Sequence, residues 1–175
     1  MPPGGIHRGV TPLTNLLDAA VLYTHLVAAV LFVGGSFFIW FVVDPVSYQL
    51  TSDESSRTAL VGRVARQFGR WVNVLLLVLV LTGLFNAWVY LGSPGTGWGS
   101  AAADVLLVKI GVVGLLIALI YLHGAYYGPR IVRLAREGKL DQLRALRRRS
   151  RVISYVNLAL MLAVLFLAVL LQTPP

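Results

Sequence analysis

The chain has 175 residues, of which 57% are hydrophobic and only 13% charged, with a net charge of +8. A soluble domain usually carries about a quarter charged residues, so this composition excludes an ordinary water-soluble domain. It contains no cysteine, which excludes disulfides, iron–sulfur clusters, thiolate copper sites and cysteine-attached haem.

In chain order, Met1–Pro12 holds three Pro and three Gly and is predicted to be an irregular outer segment. A first helix is expected at about 17–43, bounded by Asp18 and Asp44–Pro45. The Thr51–Ser56 stretch reads as a turn and N-cap opening a short amphipathic helix through Arg57, Arg63 and Arg66. A second span follows at about 71–91 and ends in the Gly92–Gly97 cluster, a strong breaker. The third, at about 104–128, is expected to stop at Gly128–Pro129. Ile131–Arg149 alternates aliphatic and basic residues, which suits the membrane surface or an extension of the third helix. The fourth occupies about 152–172. Each span is long enough to cross a hydrocarbon core of about 30 Å, which needs roughly 20 residues.

Charge placement sets the expected orientation. Loop 44–70 carries four Arg against three acids, and loop 129–151 carries nine basic residues against two acids. By the positive-inside rule both loops are cytoplasmic and both termini face outward. The expected fold class is therefore an all-α integral membrane four-helix bundle, N-out/C-out. It forms one transmembrane domain over 1–175, multi-pass in the cell membrane of a prokaryote. The basic run Arg147–Arg151 serves orientation and meets anionic headgroups. No nucleic-acid motif accompanies the charge, so no nucleic acid is expected as partner.

The polar residues inside the spans fall into two layers. His25, Lys109 and Asn86 belong to the outer one. His123, Tyr126 and Tyr127, with Ser154, Tyr155 and Asn157, belong to the inner one. Lys109 and His123 share one stripe, because fourteen residues return a helix to within roughly 40°. Ionisable groups at such depth are costly and commonly mark a ligand, ion or proton site. His25 reads either as a histidine bonded to a neighbouring helix or as a haem or metal ligand. Lys109 reads as a snorkelling side chain or as a counter-charge. His123 reads as an interfacial histidine or a ligand, and Met161 as packing or a second axial ligand. His25 and His123 lie near opposite faces, so they are not expected to share one metal atom.

The stretches Val64–Arg70 and Leu81–Gly92 resemble the second helix of CopD-type membrane proteins. Leu106–Ile110 through Leu122–Gly124 resembles their third helix, and also the lysine-bearing helix of HemJ-type protoporphyrinogen oxidases. Tyr23–Gly35 is similar to the first helix of both groups. The CopD resemblance implies copper uptake across the inner membrane. The HemJ resemblance implies haem b and oxidation of a haem precursor, with His25 and Lys109 at the matching positions. The chain departs from the copper pattern in having no Cys and only Met1 and Met161, where Cu(I) favours soft sulfur ligands.

The reading that results is a membrane-embedded, cytochrome b-like protein holding one or two b-type haems. Its cofactor-binding candidates are His25, Lys109, His123, Met161, Asn86 and Tyr127, with His25 and His123 as metal ligands. Its partners are the lipid bilayer and a quinone or another redox protein, with a homo-oligomer left open. A haem-dependent oxidoreductase is the enzymatic form of this reading. The alternatives are a copper-handling transporter, with His7, His25 and Met161 along its path, and a non-catalytic accessory subunit.

Overall fold

The computed structural model describes residues 12–93 and 96–172, so His7 and nearly all of the Met1–Pro12 segment lie outside the described residues. Among the described residues every regular element is helical: α1 (Pro12–Phe38), a π-helical turn (Ile39–Val43), α2 (Asp44–Leu50), α3 (Glu54–Leu91), α4 (Ala101–Arg136) and α5 (Leu140–Leu170). Four helices are long and apolar enough to cross a membrane: 15–50, 56–91, 101–136 and 140–170. The protein is thus a multi-pass, all-helical membrane protein in contact with the bilayer.

The first helix does not end at Asp44–Pro45. Pro45 has no N–H, and its ring crowds the carbonyl four residues back. The chain meets this by widening one turn, with the Asp44 N–H bonded to the Ile39 carbonyl, five residues away. The helix then continues to Leu50. Thr51 turns to extended backbone, and Asp53 caps α3 by accepting from the Ser56 N–H at 2.8 Å.

No proline interrupts Glu54–Leu91, so the expected amphipathic helix and the second span form one 38-residue rod. At 1.5 Å per residue it is roughly 57 Å long, well beyond the hydrocarbon thickness. Ser100 caps α4 through its Oγ, which accepts from the Ala103 N–H at 3.1 Å. The expected stop at Gly128–Pro129 is overridden, because Pro129 lies inside α4. The last turns of α4 gain burial that offsets the lost hydrogen bond: Leu134 is buried, and Leu143 of α5 is fully so.

The true end comes at Gly138, whose φ of +67° suits a residue without Cβ. Here the Lys139 N–H reaches the Leu134 carbonyl at 3.1 Å and the Gly138 N–H reaches Ala135 at 3.4 Å. Those two bonds are the paired closure of a Schellman motif. The segment expected as a 129–151 loop is therefore mostly a helical hairpin, and its first part takes the expected alternative of extending the third helix, to Arg136.

In the bundle α1 runs along α3 and α4 along α5, while α3 meets α4, and α1 meets α5, over shorter stretches. All four rods contribute to one core layer of Phe32, Leu76, Leu116, Leu158 and Met161. Large apolar side chains such as Val30, Leu77, Leu122 and Phe166 are exposed on the outside. In a bilayer that surface meets lipid tails, so association rests on packing and polar contacts rather than on escape from water. Gly35 permits one such close approach, since a Cβ there would overlap the Phe68 ring.

Candidate functional site

One polar layer is built on α1, α3 and α4. His25 Nδ1 lies 2.8 Å from Thr82 Oγ1, and Thr82 Oγ1 donates its own hydrogen to the Val78 carbonyl at 2.6 Å. A hydroxyl has one hydrogen to give. With that hydrogen committed to Val78, Thr82 accepts from His25, so the proton of the neutral ring sits on Nδ1. The Nε2 lone pair is left as the acceptor or ligand atom, the arrangement by which outer partners orient metal-binding histidines.

Gly83 completes the seat, because a Cβ there would come within 3.3 Å of His25 Cε1. Lys109 of α4 is half-buried. Asn86, one turn beyond Thr82 on α3, has a buried Nδ2 without a hydrogen-bond partner.

The second layer is built on α4 and α5. His123 Nε2 lies 3.4 Å from Ser150 Oγ, and its Nδ1 is buried without a partner. Tyr127, one turn on, stacks on the imidazole with centroids 5.3 Å apart. Tyr126 packs edge-on against Tyr127, and Arg130 lies 3.6 Å over the Tyr126 ring. From Ser150 a stripe of polar groups runs up the buried face of α5. Ser154 donates to the Ser150 carbonyl at 3.1 Å. Asn157 follows, 9% exposed, with its Oδ1 unpartnered. Met161 comes next, one turn deeper in the core layer.

The structure brings His25 and Thr82 together, and His123 with Tyr127. It does not pair His123 with Met161. Met161 shares its layer with Leu116, and Leu116 precedes His123 by seven residues, roughly 10 Å along the axis. Two apolar grooves, of about 420 Å³ and about 250 Å³, lie along α1 and α3, and neither is lined by His25, Lys109 or His123. The haem reading therefore finds no support in the geometry.

Among the described residues no three His, Cys, Asp or Glu side chains converge as a metal-binding group. Ser150 was not among the sequence candidates. Its spacing to Ser154, then Asn157 and Met161, which follows one helical face, was the available signal.

A family model described as Copper resistance protein D matches residues 62–171, more than half of the chain. No match was found among curated proteins or among solved structures.

Proposed function

The chain belongs to the Copper resistance protein D family, and from that premise we propose that it handles copper within the cell membrane of a prokaryote, with both termini outside. Copper is the cargo, passed along the bundle between two imidazole-bearing layers. One observation carries this reading: Met161, the sole sulfur among the described residues, sits in the core layer where all four helices meet. Thioether sulfur suits Cu(I), and imidazole suits either copper oxidation state.

His25 Nε2, freed by the Thr82 contact, is the receiving atom at one end. Met161 is the soft station between the layers. Asn157 Oδ1 and His123 Nδ1, both unpartnered, are the acceptors at the basic end. The Lys109 ammonium opposes any cation held at His25, since like charges repel most where solvent is excluded. It acts as a barrier that keeps the path shut to ions lacking a strong ligand preference.

The test is Cu(I) retention by detergent-purified protein against a chromophoric Cu(I) chelator. The wild type is expected to hold copper, and Met161→Leu, which preserves volume, to hold it about tenfold more weakly, one ligand contact's worth. Unchanged retention in Met161→Leu would remove the path through the core. Colour from a Soret band in protein that takes no copper would overturn the copper reading altogether.

A further inference from the structure

At the basic end, α3 and α5 each bring an arginine to Tyr48 of α2. Arg57 of α3 places its guanidinium carbon 4.5 Å from the ring centroid. Arg151 of α5 donates from Nη2 to Tyr48 Oη at 3.2 Å. The neighbouring charges are otherwise engaged. Glu54 takes Arg144 at 3.2 Å and Arg147 at 3.6 Å, Asp141 lies 3.9 Å from Arg144, and Asp53 caps α3.

Arg57 gives Nη1 to the Ser52 carbonyl at 3.4 Å, but its Nε is buried with no acceptor. Tyr48 Oη already accepts from Arg151, which leaves its own O–H to donate. The donors offered outward are the exposed Arg151 guanidinium and the Tyr48 phenol, with the Arg57 charge held behind them by the ring, and the component such a group lacks is an anionic oxygen.

Depth identifies the anion. One turn inward from Arg151 on α5, Tyr155 packs against Trp40 with centroids 5.2 Å apart. Such aromatic pairs mark the boundary between hydrocarbon and headgroups, so the cluster stands at headgroup level. Guanidinium forks match phosphate geometry with two parallel hydrogen bonds.

We propose that Arg57, Arg151 and Tyr48 form a binding site for the phosphate of an anionic phospholipid headgroup. The site depends on α2 continuing past Pro45, which carries Tyr48 to the two arginines. It makes no use of the copper path.

The experiment titrates the detergent-purified full chain with dioctanoyl phosphatidylglycerol, dioctanoyl phosphatidylcholine and inorganic phosphate, reading thermal unfolding and bound lipid by native mass spectrometry. Phosphatidylglycerol is expected to raise the unfolding temperature and to bind about tenfold more tightly than phosphatidylcholine. Arg57→Gln/Arg151→Gln should lose about that factor, while Arg63→Gln/Arg66→Gln, on exposed arginines of the same helix, should lose none. Tyr48→Phe keeps the ring beneath Arg57 and should weaken binding about threefold, one neutral hydrogen bond's worth. It carries the test if the double variant does not fold. Equal binding of the two lipids, or equal loss in the Arg63/Arg66 control, overturns the site. A shift reproduced by inorganic phosphate at the same concentration overturns the lipid as its occupant.

Discussion

The His25 imidazole is held from one side by a hydroxyl that is itself bonded onward, and from another by the flat backbone at Gly83. The His123 imidazole has one long contact to Ser150 and one buried nitrogen with nothing to meet. Both rings belong to histidines about half-buried on membrane helices, yet one is preorganised and the other is not. On the proposed copper path a fixed tautomer with a free Nε2 suits capture of an ion, and a ring with an unmet nitrogen suits its release. The difference between the rings lies in the residue each one faces, Thr82 for His25 and Ser150 for His123.

The same substitution at both positions breaks the comparison most directly. His25→Phe removes the bond to Thr82 and pushes a larger ring toward Gly83, and should destabilise the bundle by about 2 kcal/mol. His123→Phe keeps the stack on Tyr127 and removes the unsatisfied nitrogen, so it should be neutral or stabilising by up to about 1 kcal/mol. Thermal unfolding in detergent reads both, and equal losses would end the distinction.

A smaller effect comes from the glycines beside the rings. Gly124→Ala meets open space and should gain about 1 kcal/mol in helix propensity. Gly83→Ala gains the same but must displace His25, so its net effect should be near zero, with weaker copper retention. If the two variants behave alike, the seat beneath His25 is loose.

Lys109→Gln sharpens the electrostatic half of the comparison. It should strengthen Cu(I) retention at the His25 layer by about threefold and leave the His123 layer unchanged, and weaker retention would instead make Lys109 a ligand.

The smallest effect is expected at the hairpin apex. The Lys139 hydrogen bond, aided by the charges of Lys139 and Arg133, holds the Glu137 carboxyl below its ordinary range. A depressed carboxyl lends its contact fully above the ordinary carboxylate range and loses it as pH falls through the lowered value. Exchange of the Glu137–Leu140 amides should therefore quicken, beyond the intrinsic pH dependence, only in strong acid. At neutral pH Glu137→Gln should leave the unfolding temperature almost unchanged, because the pair is exposed.

Much of the fold was legible from the sequence because membrane spans depend on length and apolarity alone. The boundaries were less so. Gly128–Pro129 satisfies the rule for a helix end, but Leu134 and Leu143 override it through a contact visible only once α4 and α5 face one another. Gly138 was the better stop signal, and nothing local ranked it above the Gly–Pro pair. The layers were readable from the depth of His25, Lys109 and His123. The Thr82–Val78 relay that selects the His25 tautomer was not, since a helix threonine has the same sequence appearance whether or not a histidine faces it. Met161 was expected as a possible axial partner of His123. Its place beside Leu116 rather than His123 depends on the antiparallel register of α4 and α5.

The widened turn at Ile39–Val43 is in effect a one-residue insertion into an otherwise regular rod. Deleting a single residue there would restore ordinary winding and leave everything after it close to its present heading, because the wide turn already absorbs the extra residue. What would change is the room around Pro45, whose ring would then press on the carbonyl four residues back. The spare residue is thus what lets one rod carry a proline and still deliver Tyr48 to Arg57 and Arg151.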